Sequence, residues 1–225
     1  MIALIDADLV AFRVAATCNS EEEGVLDIAL LRCDKLMQDI VDATDATHYK
    51  AFLTGRNNFR KRINLEYKAN RKDTIPPIYL QQCRDFLIKE WNAEVSDGCE
   101  ADDMLGENQD QEGYLITHGG DDPFYKTVIC TLDKDLDMVP GLHYNWVKNE
   151  IYTVSPLEGL RHLYKQALIG DRSDNIQGVA GIGPVKAAKI IDCLETEEEM
   201  YETVRQLYND DSRLCMNLQC LYIWH

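Results

Sequence analysis

The feature that most constrains this chain is a short apolar run at its start, Ile2-Ala-Leu-Ile5, leading straight into Asp6-Ala-Asp8. An unbroken apolar run of that length is a strand buried on both faces, and here it empties into a carboxylate-bearing turn. Thr127-Val-Ile-Cys-Thr131 repeats the arrangement and closes on Asp133-Lys-Asp135, while Tyr49 to Thr54 is another strand candidate. Between these runs the periodicity becomes helical. Gly24 to Thr44 sets Leu26, Leu30, Met37, Ile40 and Val41 near helical spacing, and Glu100 to Gln111 forms a short helix. Pro76-Pro77 opens a further helix carrying Ile78, Leu80, Phe86 and Leu87, proline being tolerated in a first turn. Strands alternating with helices predict an α/β layer fold with a largely parallel sheet, whose strand ends gather polar groups into one crevice. Beyond about Ser155 the strand signals stop, so residues 1–154 form the α/β body and 155–225 a helical region packed on it.

Asp6, Glu100-Ala-Asp102-Asp103, Asp133-x-Asp135 and Asp171-x-x-Asp174 place eight carboxylates in four groups. Singly, each has an ordinary explanation: acids that open helices are caps and dipole partners. Four groups at the same kind of topological position are harder to dismiss. Gathered together, they would raise one another's pKa unless cations relieved the repulsion. Hard divalent ions, Mg²⁺ above all, prefer such oxygen ligands, and a pair of them suits phosphodiester hydrolysis.

The remaining composition excludes several classes. No apolar run reaches bilayer length and no basic segment precedes Ile2–Ile5, so neither a membrane nor a secreted location is expected, and a cytoplasmic one is. The eight cysteines lack a C-x-x-C pair and sit singly in apolar stretches, as buried free thiols do. The five histidines lack an H-x-x-x-H pair, which leaves zinc unsupported. A formal charge of −16 argues against nucleic acid at first sight. Placement matters more than the sum: residues 56–72 carry Arg56, Arg60, Lys61, Arg62, Lys68, Arg71 and Lys72 against the single acid Glu66. Lys68 and Arg71, three apart, would share one helix face and could reach one phosphate.

Gly178-Val-Ala-Gly181-Ile-Gly183-Pro184 precedes an apolar-periodic helix from Val185 to Ile191. Glycine on both sides of Ile182 allows positive φ and close approach to another surface. Pro184 suits the first helical position, and the amides that follow can meet a phosphate, with Lys186 and Lys189 adding charge. Alone this is a tight helix connection; directly after Asp171 and Asp174 it reads as a helix-hairpin-helix contact to DNA.

In their order, Leu4-Ile-Asp-Ala-Asp8, Asn58-Phe-Arg-Lys61, Glu66-Tyr-Lys-Ala-Asn-Arg71, Glu100-Ala-Asp-Asp103, Thr131-Leu-Asp-Lys-Asp135 and Gly170-Asp-Arg-Ser-Asp-Asn175 running into Gly178–Gly183 resemble the flap-endonuclease family of 5′ nucleases. The resemblance is to the small phage 5′–3′ exonucleases and the 5′ nuclease domain of bacterial DNA polymerase I, and it covers nearly the whole chain. It implies a PIN-like, Rossmann-like central sheet flanked by helices, arch or gateway helices around residues 56–92, and a C-terminal helix-hairpin-helix (H3TH) region. It implies a 5′–3′ exonuclease or flap endonuclease that uses Mg²⁺, with Mn²⁺ as a substitute and a K⁺ site at the hairpin as in some relatives. The metal ligands would be Asp6, Glu100, Asp102, Asp103, Asp133, Asp135, Asp171 and Asp174. Lys68 and Arg71 would work on the scissile phosphate beside Asp6 and Asp135. Arg60, Lys61, Tyr67, Lys68, Arg71, Gly181, Gly183 and Lys186 would touch DNA, with Tyr67 stacking on a base. The partner would be DNA with 5′ ends, flaps or duplex–single-strand junctions, bound by a monomer.

One departure stands out. Relatives carry another acid at the end of the second strand, and Thr54-Gly55 offers none. A DNA-binding protein of the same fold with impaired catalysis is therefore the alternative from another class. A haloacid-dehalogenase-like phosphatase built on Asp6-Ala-Asp8 is a third reading, which leaves the glycine hairpin and the basic stretch without a role.

Overall fold

The computed structural model describes residues 1–72, 74–113 and 125–225, and the backbone alone for 110–113. Strand β1 (Ile2–Asp6) runs into helix α1 (Ala7–Thr17), followed by α2 (Val25–Ala43) and β2 (His48–Leu53). A four-residue helix α3 (Arg60–Ile63), a 3₁₀ turn at Ala69–Arg71 and α4 (Leu80–Trp91) lead to the short β3 (Glu94–Val95) and to α5 (Ala101–Gly113). Then come β4 (Thr127–Cys130), a 3₁₀ helix at Lys134–Met138, and the hairpin of β5 (Gly141–Asn145) and β6 (Glu150–Val154). The strand order is β3-β2-β1-β4-β5-β6, parallel throughout except for β6 on β5. This is the mostly parallel α/β sheet that the sequence predicts.

A sheet covered on both faces needs apolar residues pointing both ways, and the strand period of two sorts them. Leu4, Phe52 and Ile129 enter one core, under α5 and the later helices. Their neighbours Ala3 and Ile5, Ala51 and Leu53, Val128 and Cys130 enter the other, under α1, α2 and α4. All nine belong to β1, β2 and β4, the centre of the sheet.

After Ser155 the described chain is helical apart from two-residue strands: α6 (Pro156–Ile169), β7 (Gly170–Asp171), β8 (Ile176–Gln177), α7 (Pro184–Ile191), α8 (Glu197–Tyr208) and α9 (Asp211–Leu221). A reciprocal Ser155–Glu158 capping box starts α6. Met200, Val204, Leu214 and Ile223 from this region share a core with Leu4 and Ile129. Among the described residues no helix is long and apolar enough to cross a membrane.

Three expectations need correction. Pro76-Pro77 does not open α4, which begins at Leu80; a residue before proline is pushed out of the helical region, and Ile75 and Pro76 both precede one. The β5–β6 hairpin went unassigned because β6, at the sheet edge, is largely exposed and carries no apolar run. Two cysteines, Cys193 and Cys215, are exposed rather than buried.

Candidate active site

Strands β1, β2 and β4 run parallel, so the residues that follow them emerge on one edge of the sheet. A cavity of about 400 Å³ opens there, lined by Asp6, Asp8, Glu100, Asp102, Asp133, Asp135 and Asp174 and by the cations Arg56, Lys61, Lys68, Arg71 and Arg84. A larger cavity of about 520 Å³, between α6, α9 and the last residues, is mainly apolar and holds no comparable set of charges.

Asp6 caps α1: its carboxylate accepts the Leu9 N–H at 3.1 Å and the Thr131 hydroxyl at 2.9 Å. Burial pushes its pKa up to about 6 against those two hydrogen bonds, and Asp133 adds to the rise. Asp133 caps the following 3₁₀ helix by accepting the Asp135 N–H at 2.9 Å. Burial also drives Asp135 up to about 7, helped by Asp133, Asp171 and Asp174 and opposed by a 2.8 Å hydrogen bond from Gln166. Asp102, at the start of α5, is raised well above the usual carboxylate range by desolvation and then by Asp6, Asp133 and Glu100. Burial and the mutual repulsion of these carboxylates favour the protonated form.

The opposite wall is balanced. Lys68, at a left-handed φ of 55°, places Nζ 2.5 Å from Glu100 and 3.5 Å from Asp174. Arg71 Nη2 lies 2.7 Å from Asp174. Asn58 donates to Glu100 at 2.8 Å. The two basic residues therefore converge as expected, through a 3₁₀ turn rather than along a helix face. Asp171 does not line the cavity; it accepts the Ser173 N–H at 2.7 Å in the turn between β7 and β8.

Several expected residues are placed elsewhere. Asp103 is fully buried and forks onto Arg60 at 2.5 and 2.7 Å. Arg60 is 2% exposed and also donates to the carbonyls of Cys220 and Tyr222. Neither reaches the carboxylate cavity or solvent, so the pair ties α3 to α5 and α9. Helical geometry explains the split: neighbours on a helix point about 100° apart, so Asp102 and Asp103 cannot share a crevice. Tyr67 is 3% exposed, with its hydroxyl 2.6 Å from Asp174 and 3.0 Å from Glu100. It braces two carboxylates and offers no face to a base. Lys61 is exposed on the rim.

Arg84 was not singled out in the sequence, and Asp8 only as the second acid of the phosphatase reading, yet both line the cavity as an ion pair. The only available signal was the second acid of Asp6-Ala-Asp8; nothing marked an arginine inside an amphipathic helix.

The glycine hairpin forms a separate surface. Gly181 has φ 76°, whereas Gly183 is extended at −101° and serves as the N-cap of α7, with Pro184 in the first turn. Both would give an added Cβ open space. Ile182 between them is 7% exposed and anchors the turn in the core. Gly183, Val185 and Lys186 are exposed, and no side chain caps α7.

Comparison with known proteins gives a consistent pattern. No protein-family profile matches the chain. It is 26% identical to DNA polymerase I of Bacillus caldotenax over 92% of its own length and 25% of the polymerase. It is 26% identical to a 5′-3′ exonuclease of Buchnera aphidicola subsp. Schizaphis graminum, covering 95% of this chain and 75% of that one. The chain thus spans about a quarter of the polymerases it matches. In fold it is similar to the T5 D15 protein co-crystallised with metal ions, with a TM-score of 0.68 and 18% identity over 98% of this chain and 89% of that one. The T5 D15 flap endonuclease in complex with DNA and metal ions gives 0.66 and 20%, over 98% and 89%. The chain resembles the flap-endonuclease-family 5′ nucleases along nearly its whole length, in sequence and in fold.

Proposed function

We propose that this chain is a divalent-metal-dependent 5′ nuclease that hydrolyses DNA phosphodiesters near 5′ ends, flaps or duplex–single-strand junctions. The observation that carries the reading is the convergence of Asp6, Asp102, Asp133 and Asp135 in one cavity that is also walled by Lys68 and Arg71. Sequence similarity to 5′-3′ exonucleases supports it.

The donors fit Mg²⁺, with Mn²⁺ able to replace it: they are all oxygens, and their raised proton affinities mark charge that a hard cation would relieve. Among the described residues no three such side chains are set to close on one ion. Mg²⁺ keeps several waters and is commonly bound through one or two carboxylates together with substrate oxygens. Gln166, which donates to Asp135, also keeps a buried carbonyl oxygen without a partner, an acceptor for such a water. Asp6, Asp102, Asp133 and Asp135 would hold the ions, with Glu100, Asp171 and Asp174 around them. Bound there, the ions supply positive charge for the phosphoryl group and lower the pKa of a water.

The chain's own residues do the rest. Thr131 and Leu9 fix Asp6, and Gln166 fixes Asp135. Tyr67 and Asn58 hold Glu100 and Asp174 in place, so Lys68 and Arg71 project from a rigid wall. A phosphodiester entering the cavity takes charge-assisted hydrogen bonds from Lys68 and Arg71, which orient it over the carboxylates. The hairpin at Gly181 and Gly183, with Lys186, grips duplex phosphate at a distance from the cut, and a K⁺ site at the hairpin belongs to the same reading.

The test is a 5′-flapped duplex labelled near the junction, incubated with Mg²⁺, with Mn²⁺ and with chelator, beside an Asp135→Asn variant. Metal-dependent cleavage near the junction, lost in the variant, is expected. A protein that binds the flap and cuts it with neither ion would overturn the proposal.

A further inference from the structure

The corner where β2 ends is held by two charges of opposite sign. Thr54 donates its N–H to Asp8 at 2.7 Å, accepts Arg84 Nη2 on its carbonyl at 2.5 Å and accepts the Ala101 N–H on its hydroxyl at 3.0 Å. Arg84 Nη1 pairs with Asp8. This ties α1, β2, α4 and α5 together at one point.

The chain's buried arginine–aspartate pair, Arg60 with Asp103, shows what a sealed clamp looks like. Arg60 and Asp103 have side chains 2% and 0% exposed. Arg84 and Asp8 are 20% and 27% exposed, and both face the carboxylate cavity. A guanidinium has five N–H donors in a rigid fork, so bonds from two nitrogens to Asp8 and Thr54 leave others free for a second acceptor. Of the other inner cations, Lys68 is held by two carboxylates, while Arg71, like Arg84, bonds one aspartate and one backbone carbonyl. A polyanion approaching a floor of carboxylates needs fixed positive charge on the rim.

We propose that Arg84 is a phosphate-contacting residue of the cavity, presented at the end of β2 by Asp8 and the Thr54 carbonyl, with Asp8 as its positioning residue. The inference rests on the nuclease reading above. Its ligand is a DNA backbone phosphate other than the one held by Lys68 and Arg71.

The experiment measures flap binding across a salt series in an Asp135→Asn background, with Arg84→Gln, with Arg84→Lys and with neither. Losing one charge-assisted contact should weaken binding about tenfold. It should also flatten the slope of log K against log salt by about 0.7 to 0.9 in Arg84→Gln. Arg84→Lys, which keeps the charge, should keep the slope. A wild-type slope in Arg84→Gln, whatever its affinity or Tm, refutes the proposal, because loss of a purely structural clamp moves stability and leaves the slope alone. Should the glutamine variant fold poorly, the lysine variant carries the test: a flattened slope with the charge retained also refutes the contact. If the unmodified chain cuts no flap with either ion, the nuclease reading fails first and takes this one with it.

Discussion

Replacing a carboxylate proposed to bind metal should make this protein more stable, and Asp135→Asn is the variant to measure. Its pKa is pushed from 3.8 to about 7, chiefly by burial and then by Asp133, Asp171 and Asp174. A raised carboxyl pKa means that the folded state binds the proton more tightly than the unfolded chain. Its contribution is therefore most favourable at low pH and is lost as pH rises between about 4 and 7. At about 1.4 kcal/mol per pH unit, the ionised side chain costs folding roughly 4 kcal/mol at most above pH 7. Asparagine removes the charge and can still accept the 2.8 Å hydrogen bond from Gln166. Half of that ceiling, about 2 kcal/mol, corresponds to a Tm gain of roughly 4–8 °C for a chain of this size. Calorimetry in chelator at pH 8 and at pH 4 measures it: the gain should appear at pH 8, vanish at pH 4, and shrink when Mg²⁺ neutralises the unsubstituted site. A variant less stable than its parent at pH 8 in chelator, or equally stabilised at both pH values, refutes the electrostatic reasoning.

The same shifts set the activity profile. With Asp6 near 6 and Asp135 near 7, the Mg²⁺ concentration for half-maximal cleavage should rise steeply from pH 8 to pH 6, and added Mg²⁺ should restore the rate; titration at two pH values checks this. Lys68→Met should lower kcat on a flap substrate roughly 100-fold, the scale of removing one aimed donor from a transition state, as single-turnover rates would show. Arg60→Ala leaves Asp103 buried and unpaired, at a cost of about 3–5 kcal/mol, and should lower Tm by roughly 10 °C without altering the salt slope of DNA binding. Gly178→Ala would drive a Cβ to 2.3 Å from the Leu168 carbonyl and should destabilise the fold, whereas Gly183→Ala meets open space and should weaken only duplex binding; melting and binding curves separate the two.

Much of the architecture was written locally. Ile2–Ile5 and Thr127–Cys130 are apolar without interruption because strands at the centre of a covered sheet face protein on both sides. Asp6 and Asp133 follow such strands, and Ile182 sits between glycines; each is fixed by neighbours within a few residues, so the sequence alone determined their placement. The acids that end β1 and follow β4 and the anchored turn were legible for that reason, whereas Lys68 and Arg71 converge through a 3₁₀ turn and on the distant acids Glu100 and Asp174. What only the tertiary structure decided is the direction in which charged side chains face. Asp102 and Asp103 are adjacent in sequence yet face different neighbours, one in the cavity and one against Arg60. Tyr67 turns inward because Glu100 and Asp174, far along the chain, meet at its hydroxyl. Asp8 finds Arg84 only because α4 packs against α1 beside the end of β2. Local pattern specifies which residues form a strand or helix, since that depends on near neighbours; the partner of a buried charge depends on contacts that exist only after the chain has closed on itself.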